Sequence, residues 1–330
     1  MTRTIVIIHP GGLGDLLLAV PAIRSLRARF PRHQILLCGH DQACEFLHEG
    51  CRLVDRWMSV QTTACTALFG GTEASDLLLK DWLSRCDVAV AWTKDERGTL
   101  AAALKNSGAA AVLVESPFCS TLTTVHQSDR FLEILKEPAG EYTAIKPFAV
   151  PASLRERAAA CLHACDLPLN RPLVLIHPGS GSRHKCVKPT VLASVVLQLQ
   201  KQGVVPLVLE GPADQEPVGN LLSTLPVKPS VLRGLSLSVL AGVLSRVGLF
   251  VGHDSGITQL SALLGIPTVA LFGPTSPARW APRGSHVVIV QGESCRCFSW
   301  DEVRHCAEKP CLQLSPEAIL AACRVQELPA

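Results

Sequence analysis

Short runs of β-branched and aliphatic residues alternate along the chain with longer stretches of helical periodicity. In the first half, apolar runs at 4–8, 34–38, 87–92 and 110–115 predict buried strands, and helical patterns at 15–29, 75–85 and 127–136 fall between them. The helix over 15–29 is well specified: Leu16, Leu17, Ala19, Val20, Ile23 and Leu26 share one face, Arg24, Arg27 and Arg29 the other, and Pro31 stops it. Pro21 lies inside that pattern and predicts a kink or a shifted start. The second half repeats the rhythm, with strands near 173–177, 204–210, 247–252, 268–272 and 286–290 and helices near 189–202, 214–224, 236–245 and 255–264. A last helix over about 316–324 opens on Ser315-Pro316-Glu317. Strand and helix in strict alternation are the mark of a parallel sheet.

The two halves also echo one another. Val6-Ile7-Ile8-His9-Pro10-Gly11-Gly12 returns as Val174-Leu175-Ile176-His177-Pro178-Gly179-Ser180. In each copy an apolar run stops at Pro and Gly, as a buried parallel strand does on leaving its sheet for a turn. A seven-residue echo can arise by chance, but the shared rhythm around it supports two halves that each open with their own first strand. The expected fold is α/β, with two Rossmann-like, doubly wound parallel-sheet domains facing each other across a cleft lined by strand carboxyl ends. The stretch 138–151, with Pro138, Gly140, Pro147 and Pro151, lacks periodicity and reads as a linker or late crossover. Domains of 1–160 and 161–330 follow, and the last helix is a candidate for packing back on the first of them.

Composition narrows the field. A chain of 330 residues, 48% hydrophobic and 18% charged, has material for two packed cores and little that resembles disorder. A formal charge of +3, with one Tyr and nine Phe, argues against nucleic acid as a partner. The apolar run after Arg3 is too short for a signal-peptide core or a membrane span, so a cytoplasmic protein is expected. The 14 cysteines are scattered through apolar segments, such as Cys38, Cys86 and Cys161, in the manner of reduced core residues. Cys295, Cys297, Cys306 and Cys311 could together ligate zinc, but their spacing lacks paired C-x2-C knuckles. They read instead as buried or loosely paired thiols, with no metal expected.

Chemistry is expected at three strand ends. The strand ending at Gly252-His253 runs into Asp254-Ser255-Gly256 and a helix, a turn that offers backbone N–H groups and a helix dipole to an anion. Asp254 would accept hydrogen bonds from a ligand hydroxyl, or would merely cap the helix together with Ser255. The loop His177-Pro178-Gly179-Ser180-Gly181-Ser182-Arg183-His184-Lys185 could wrap a diphosphate, with Ser180 as donor and Lys185 as counter-charge, or be a solvated basic loop. In the first half, Gly11, Gly12 and Gly14 allow close backbone approach after the first strand. Asp15 then stands where a carboxylate could take a proton from an attacking hydroxyl, or could cap its own helix. This loop is not GxGxxG and no carboxylate ends the second strand, which argues against nicotinamide binding.

Taken together these segments resemble the lipopolysaccharide heptosyltransferases, glycosyltransferase family 9, almost from end to end. The likeness rests on Gly14-Asp15 with Pro21-Ala22-Ile23-Arg24-Ser25-Leu26 and Phe30-Pro31, on His177-Pro178-Gly179-Ser180 with Lys185, and most specifically on Gly252 through Leu260 and Leu264 through Thr275. The resemblance implies the GT-B fold and inverting, metal-independent transfer of heptose or a related sugar. The donor would be a nucleotide diphosphate sugar, usually ADP-linked, and the acceptor a hydroxyl of the lipopolysaccharide inner core. By that likeness Asp15 is the general base and Ser180, Lys185, Ser255 and Gly256 hold the donor diphosphate. Asp254 contacts the donor sugar, and Glu216 the ribose. Two departures stand out: the family usually has His at Gln259 and Trp at Val187, and Gln can donate a hydrogen bond to phosphate but carries no charge. No cofactor is implied beyond the donor substrate. Alternatives on the same scaffold are a nucleotide-sugar epimerase or hydrolase, and a nucleotide-sugar-binding protein without catalysis. A lipid-linked acceptor would bring the protein to the cytoplasmic leaflet, where Arg24, Arg27, Arg29 and Arg32 are the candidate contacts, a plain solvated helix face being the alternative.

Overall fold

The computed structural model describes residues 2–118, 124–137, 146–165, 167–168 and 170–325. The chain divides into two compact units, Met1–Thr143 and Ala144–Ala330. This boundary falls before the 160 expected from sequence. Residues 138–145, the first part of the expected linker, lie outside the described residues.

In the first unit, strands β1 (Thr4–Ile8), β2 (Gln34–Gly39), β3 (Arg56–Ser59), β4 (Cys86–Ala91) and β5 (Ala111–Val114) form one sheet in the order β3-β2-β1-β4-β5. All its pairings are parallel. The helices are α1 (Leu13–Leu18), α2 (Val20–Arg29), α3 (Asp41–Glu45), α4 (Thr63–Phe69), α5 (Leu77–Ser84), α6 (Thr99–Asn106) and α7 (Gln127–Ile134). Pro21 acts as its position predicts: the helical pattern breaks at Ala19 and restarts as α2 with the proline in its first turn, where a missing N–H costs nothing. β1 is buried along its whole length, as suits the central strand of a parallel sheet.

In the second unit, β6 (Leu173–His177), β7 (Val205–Glu210), β8 (Ser230–Arg233), β9 (Leu249–His253), β10 (Thr268–Phe272) and β11 (Val287–Gln291) form a parallel sheet in the order β11-β10-β9-β6-β7-β8. Its helices are α8 (Ala152–His163), α9 (Pro189–Lys201), α10 (Gln215–Ser223), α11 (Leu237–Leu244), α12 (Gly256–Leu263), α13 (Pro277–Trp280), α14 (Trp300–His305) and α15 (Pro316–Val325). Counted from its own first strand, each sheet has the doubly wound order 3-2-1-4-5, extended by a sixth strand in the second. The repeated heptapeptides are thus β1 and β6, the first strand of each sheet. In both sheets the order reverses beside that strand, next to β4 in one and next to β9 in the other, and such switch points gather ligands.

The sequence reading left out several of these elements, α8 among them. Residues 152–163 form α8, and this helix packs on α11 of the second unit, which is why the boundary falls earlier. A Cβ at Gly242 would come within 2.3 Å of the Leu154 carbonyl oxygen, so the missing side chain sets how closely the two helices approach. The last helix, α15, packs on α9, β10 and β11 of its own unit. Ile319 and Cys323 enter the cluster that also holds Val174, Val196, Val251 and Leu271.

Candidate active site

In the second unit the β6 and β9 strands end side by side at the switch point, and their two loops are fastened together. Ser180 Oγ donates to the Asp254 carbonyl at 2.7 Å. Lys185 Nζ, on the 3-10 turn Arg183–Lys185, donates to Asp254 Oδ2 at 2.7 Å, and Thr275 Oγ1 donates to the same oxygen at 2.8 Å. Ser255 is the N-cap of α12, its Oγ accepting the Thr258 amide at 3.3 Å. Sequence thus brought Ser180, Lys185, Asp254, Ser255 and Gly256 to one place. It missed Thr275, which reaches the site from beyond β10 at the end of the motif.

Two buried histidines support this surface. His253 is fully buried, and burial, reinforced by the charge of His177, pushes its imidazole down to about 4 against the opposing hydrogen bond to Gly179. It is therefore neutral, and its tautomer is fixed. Nε2 accepts the Val187 amide at 3.0 Å, leaving Nδ1 to donate to the Gly179 carbonyl at 3.3 Å. One side chain thereby braces both ends of the Ser180–Lys185 loop. His177 hydrogen-bonds through Nε2 to Asp214 Oδ2 at 2.8 Å, and the Gly211 amide donates to that oxygen at 2.9 Å. Burial opposes ionisation of Asp214, but the His177 and Gly211 hydrogen bonds and the nearby histidine charge outweigh it and hold the carboxyl below its usual range. A Cβ at Gly179 would lie 1.8 Å from Asp214 Oδ1, so only glycine fits there.

The remaining expected residues are placed differently. Gln259, expected to reach phosphate, is buried and donates one of its two amide N–H groups to the Trp280 carbonyl at 2.8 Å. Glu216 is exposed in the first turn of α10, beside the buried Asp214 that anchors the loop. Val187 lies in the core, its backbone held by His253.

In the first unit, the Gly12 amide donates to Asp15 Oδ2 at 3.2 Å, so the capping role of Asp15 is realised on α1. His9, at the end of β1, is fully buried between Trp92 and Phe131, with ring centroids 6.1 Å and 5.5 Å away. Its Nδ1 accepts the Gly11 amide at 3.1 Å, and burial pushes the ring down to about 4 against a backbone hydrogen bond. A Cβ at Gly11 would stand 2.5 Å from His9 Cε1, which accounts for that glycine. Of the candidate lipid-facing arginines, Arg27 is committed to the Leu53 and His33 carbonyls and to Asp55, and Arg29 to Glu137 at 3.3 Å. Among the described residues no helix is long and apolar enough to cross a membrane.

Cys295 and Cys297 follow β11, Cys306 ends α14 and Cys311 is buried beyond it. Desolvation first, then the neighbouring Cys295 and Cys306 thiols, push Cys297 up to about 11; desolvation and the Cys295 thiol push Cys311 up to about 12. Cys297 and Cys311 are thereby held as neutral thiols. Among the described residues no three His, Cys, Asp or Glu side chains are placed to hold a metal ion.

Two doubly wound parallel sheets, one with hydroxyl and ammonium groups gathered at its switch point, define the two-Rossmann, GT-B class of α/β proteins. Within that class the chain belongs to glycosyltransferase family 9 (heptosyltransferase), whose model matches residues 100–310. It is similar to lipopolysaccharide heptosyltransferase 1 of Pseudomonas aeruginosa, at 42% identity over 65 residues. That match covers 20% of this chain and only 18% of the relative's length. Among solved structures, a family 9 glycosyl transferase from Veillonella parvula aligns with a TM-score of 0.79 at 18% identity, covering 98% of this chain and 97% of the other. ADP-heptose lipopolysaccharide heptosyltransferase II of E. coli aligns with a TM-score of 0.76 at 16% identity, covering 98% of each. TibC, an iron-containing dodecameric glycosyltransferase of enterotoxigenic E. coli, aligns with a TM-score of 0.62 at 13% identity, covering 98% of this chain and 78% of the other. At these identities the likeness speaks for the fold.

Proposed function

We propose that the protein is an inverting glycosyltransferase that moves heptose from ADP-heptose to a hydroxyl of the lipopolysaccharide inner core without a catalytic metal. The second unit takes the donor and the first the acceptor. The observation that carries this reading is the Lys185–Asp254 pair at 2.7 Å, beside Ser180 and the N-terminus of α12. An ammonium, a serine hydroxyl and helix amides gathered at a switch point suit a diphosphate. Family membership and the donor named for the E. coli relative support ADP-heptose as that ligand.

The chemistry follows from those groups. The acceptor oxygen attacks the anomeric carbon while Asp15 takes its proton, and the bond from that carbon to the diphosphate oxygen breaks with its electron pair on the leaving group. The α12 amides and Lys185 stabilise the departing charge, as a divalent ion would in other enzymes. Donor phosphate competes with Asp254 for Lys185, freeing a carboxylate oxygen to accept hydrogen bonds from the sugar. One Gln259 amide N–H is held by the Trp280 carbonyl and the Ser180 hydroxyl by the Asp254 carbonyl, so the diphosphate relies first on Lys185 and the helix amides.

The test is transfer from ADP-heptose to a heptose-free inner-core acceptor, with Asp15→Ala alongside. Wild type should form the extended acceptor and release ADP. The variant should lose about 10²- to 10⁴-fold in turnover, the range of general-base catalysis, with ADP affinity unchanged. Full turnover in the variant would remove Asp15 from the mechanism, and ADP release without acceptor would favour a hydrolase.

A further inference from the structure

His9 is a polar side chain in a place that burial would give to an apolar one. It follows β1, whose residues are all buried, and it is itself fully buried. Taking an imidazole out of water costs free energy unless its nitrogens are paired, and among the described residues its Nε2 has no hydrogen-bond partner. The other nitrogen is paired: Nδ1 accepts the Gly11 amide at 3.1 Å, which puts the ring proton on Nε2. The ring has little room to turn. Trp92 and Phe131 flank it, their own ring centroids 5.1 Å apart, and the His9 backbone N–H donates to the Cys38 carbonyl in β2 at 2.8 Å. Gly11 stands between this ring and Asp15: a Cβ there would lie 2.5 Å from His9 Cε1 and 3.1 Å from Asp15 Cβ. The next amide, that of Gly12, donates to the Asp15 carboxylate.

The second unit braces its loop in a similar way, with a buried neutral imidazole: His253 accepts the Val187 amide and donates to the Gly179 carbonyl. His177, the counterpart of His9 in the repeated heptapeptide, is turned to Asp214 instead, so the echo alone does not account for the contact His9 makes. A polar side chain kept in an apolar setting at a cost in stability answers a local requirement, and the contact here fixes the loop that carries Asp15. We infer, on the reading of Asp15 as the general base, that His9 is a positioning residue for the Asp15 carboxylate, holding the Gly11 amide so that the loop presents Asp15 to the acceptor hydroxyl. Misplacing a reacting group by about 1 Å can cost about 10²-fold in rate, so a single loop contact is enough to matter.

Two substitutions separate positioning from packing. His9→Leu fills the space but offers no acceptor to the Gly11 amide, whereas His9→Asn leaves space but keeps an acceptor oxygen close to where Nδ1 stands. Transfer from ADP-heptose to the heptose-free acceptor is measured for both, each with and without Asp15→Ala. His9→Leu should lower kcat about ten- to a hundredfold, with acceptor KM and ADP affinity within about twofold, and His9→Asn should keep turnover within about threefold of wild type. In the Asp15→Ala background His9→Leu should cost nothing further, since no carboxylate is left to misplace. A packing role predicts leucine as the better substitute and an equal loss in both backgrounds, and either result overturns the inference. His9→Met, apolar and adaptable, replaces His9→Leu if that variant does not fold. If wild type transfers nothing, or Asp15→Ala transfers as well as wild type, the reading of Asp15 has failed, and hydrogen exchange of residues 9–18 decides for the His9 contact. Exchange about tenfold faster in His9→Leu than in His9→Asn supports its hold on the loop, and equal exchange overturns it.

Discussion

Two buried histidines, one in each unit, couple the stability of this protein to pH. His9 and His253 both sit near pKa 4 in the folded chain, mainly because burial penalises the charged ring, whereas an unfolded histidine titrates near 6.5. Between those values the unfolded chain binds protons that the folded chain refuses. The stability is present in full above about pH 6.5 and is lost as the pH falls toward 4, on the order of 3 kcal/mol for each histidine. Urea unfolding at pH 7 and pH 4.5 should show a clear drop in midpoint, shallower in His253→Asn. A midpoint that did not move would mean that these rings accept protons in the folded state. Residue-level pairing was only half legible in sequence. The Asp-Ser-Gly turn and the Gly-Ser loop announce themselves by composition, but Lys185 and Asp254 are 69 positions apart and only the fold joins them. Asp214 was hidden behind Glu216, because nothing in the local pattern tells a buried anchor from an exposed neighbour.

At the scale of elements, legibility followed burial. β1, β6, β9 and β10 are buried throughout and their apolar runs stand out. The missed strands β3 and β8 are four-residue edge strands, Arg56-Trp57-Met58-Ser59 and Ser230-Val231-Leu232-Arg233, too short and too polar to signal themselves. Helix α8 was missed because its Ala- and Arg-rich sequence buries only Leu154, Ala158 and Leu162. Its packing on α11 depends on Gly242, where a methyl would meet the Leu154 backbone. Gly242→Ala should therefore destabilise the second unit by about 1–3 kcal/mol despite the better helix propensity of alanine, read as a lower thermal midpoint. A raised midpoint would show that the helices can move apart at no cost.

At the scale of the molecule, the two matching sheet orders account for the echo between Val6–Gly12 and Val174–Ser180, and they explain why two loops that follow first strands carry the candidate chemistry. Strand rhythm sufficed to find two parallel sheets, but the boundary depended on a helix that rhythm alone did not reveal. The central claim is that the second unit holds an adenosine diphosphate through Lys185. Its most direct measurement is calorimetric titration of the protein with ADP, UDP and GDP without added metal, repeated on Lys185→Ala. The account predicts selective ADP binding that weakens about tenfold or more in the variant, the loss of one charge-assisted contact. Equal binding of all three nucleotides, or an ADP affinity indifferent to Lys185, would contradict it.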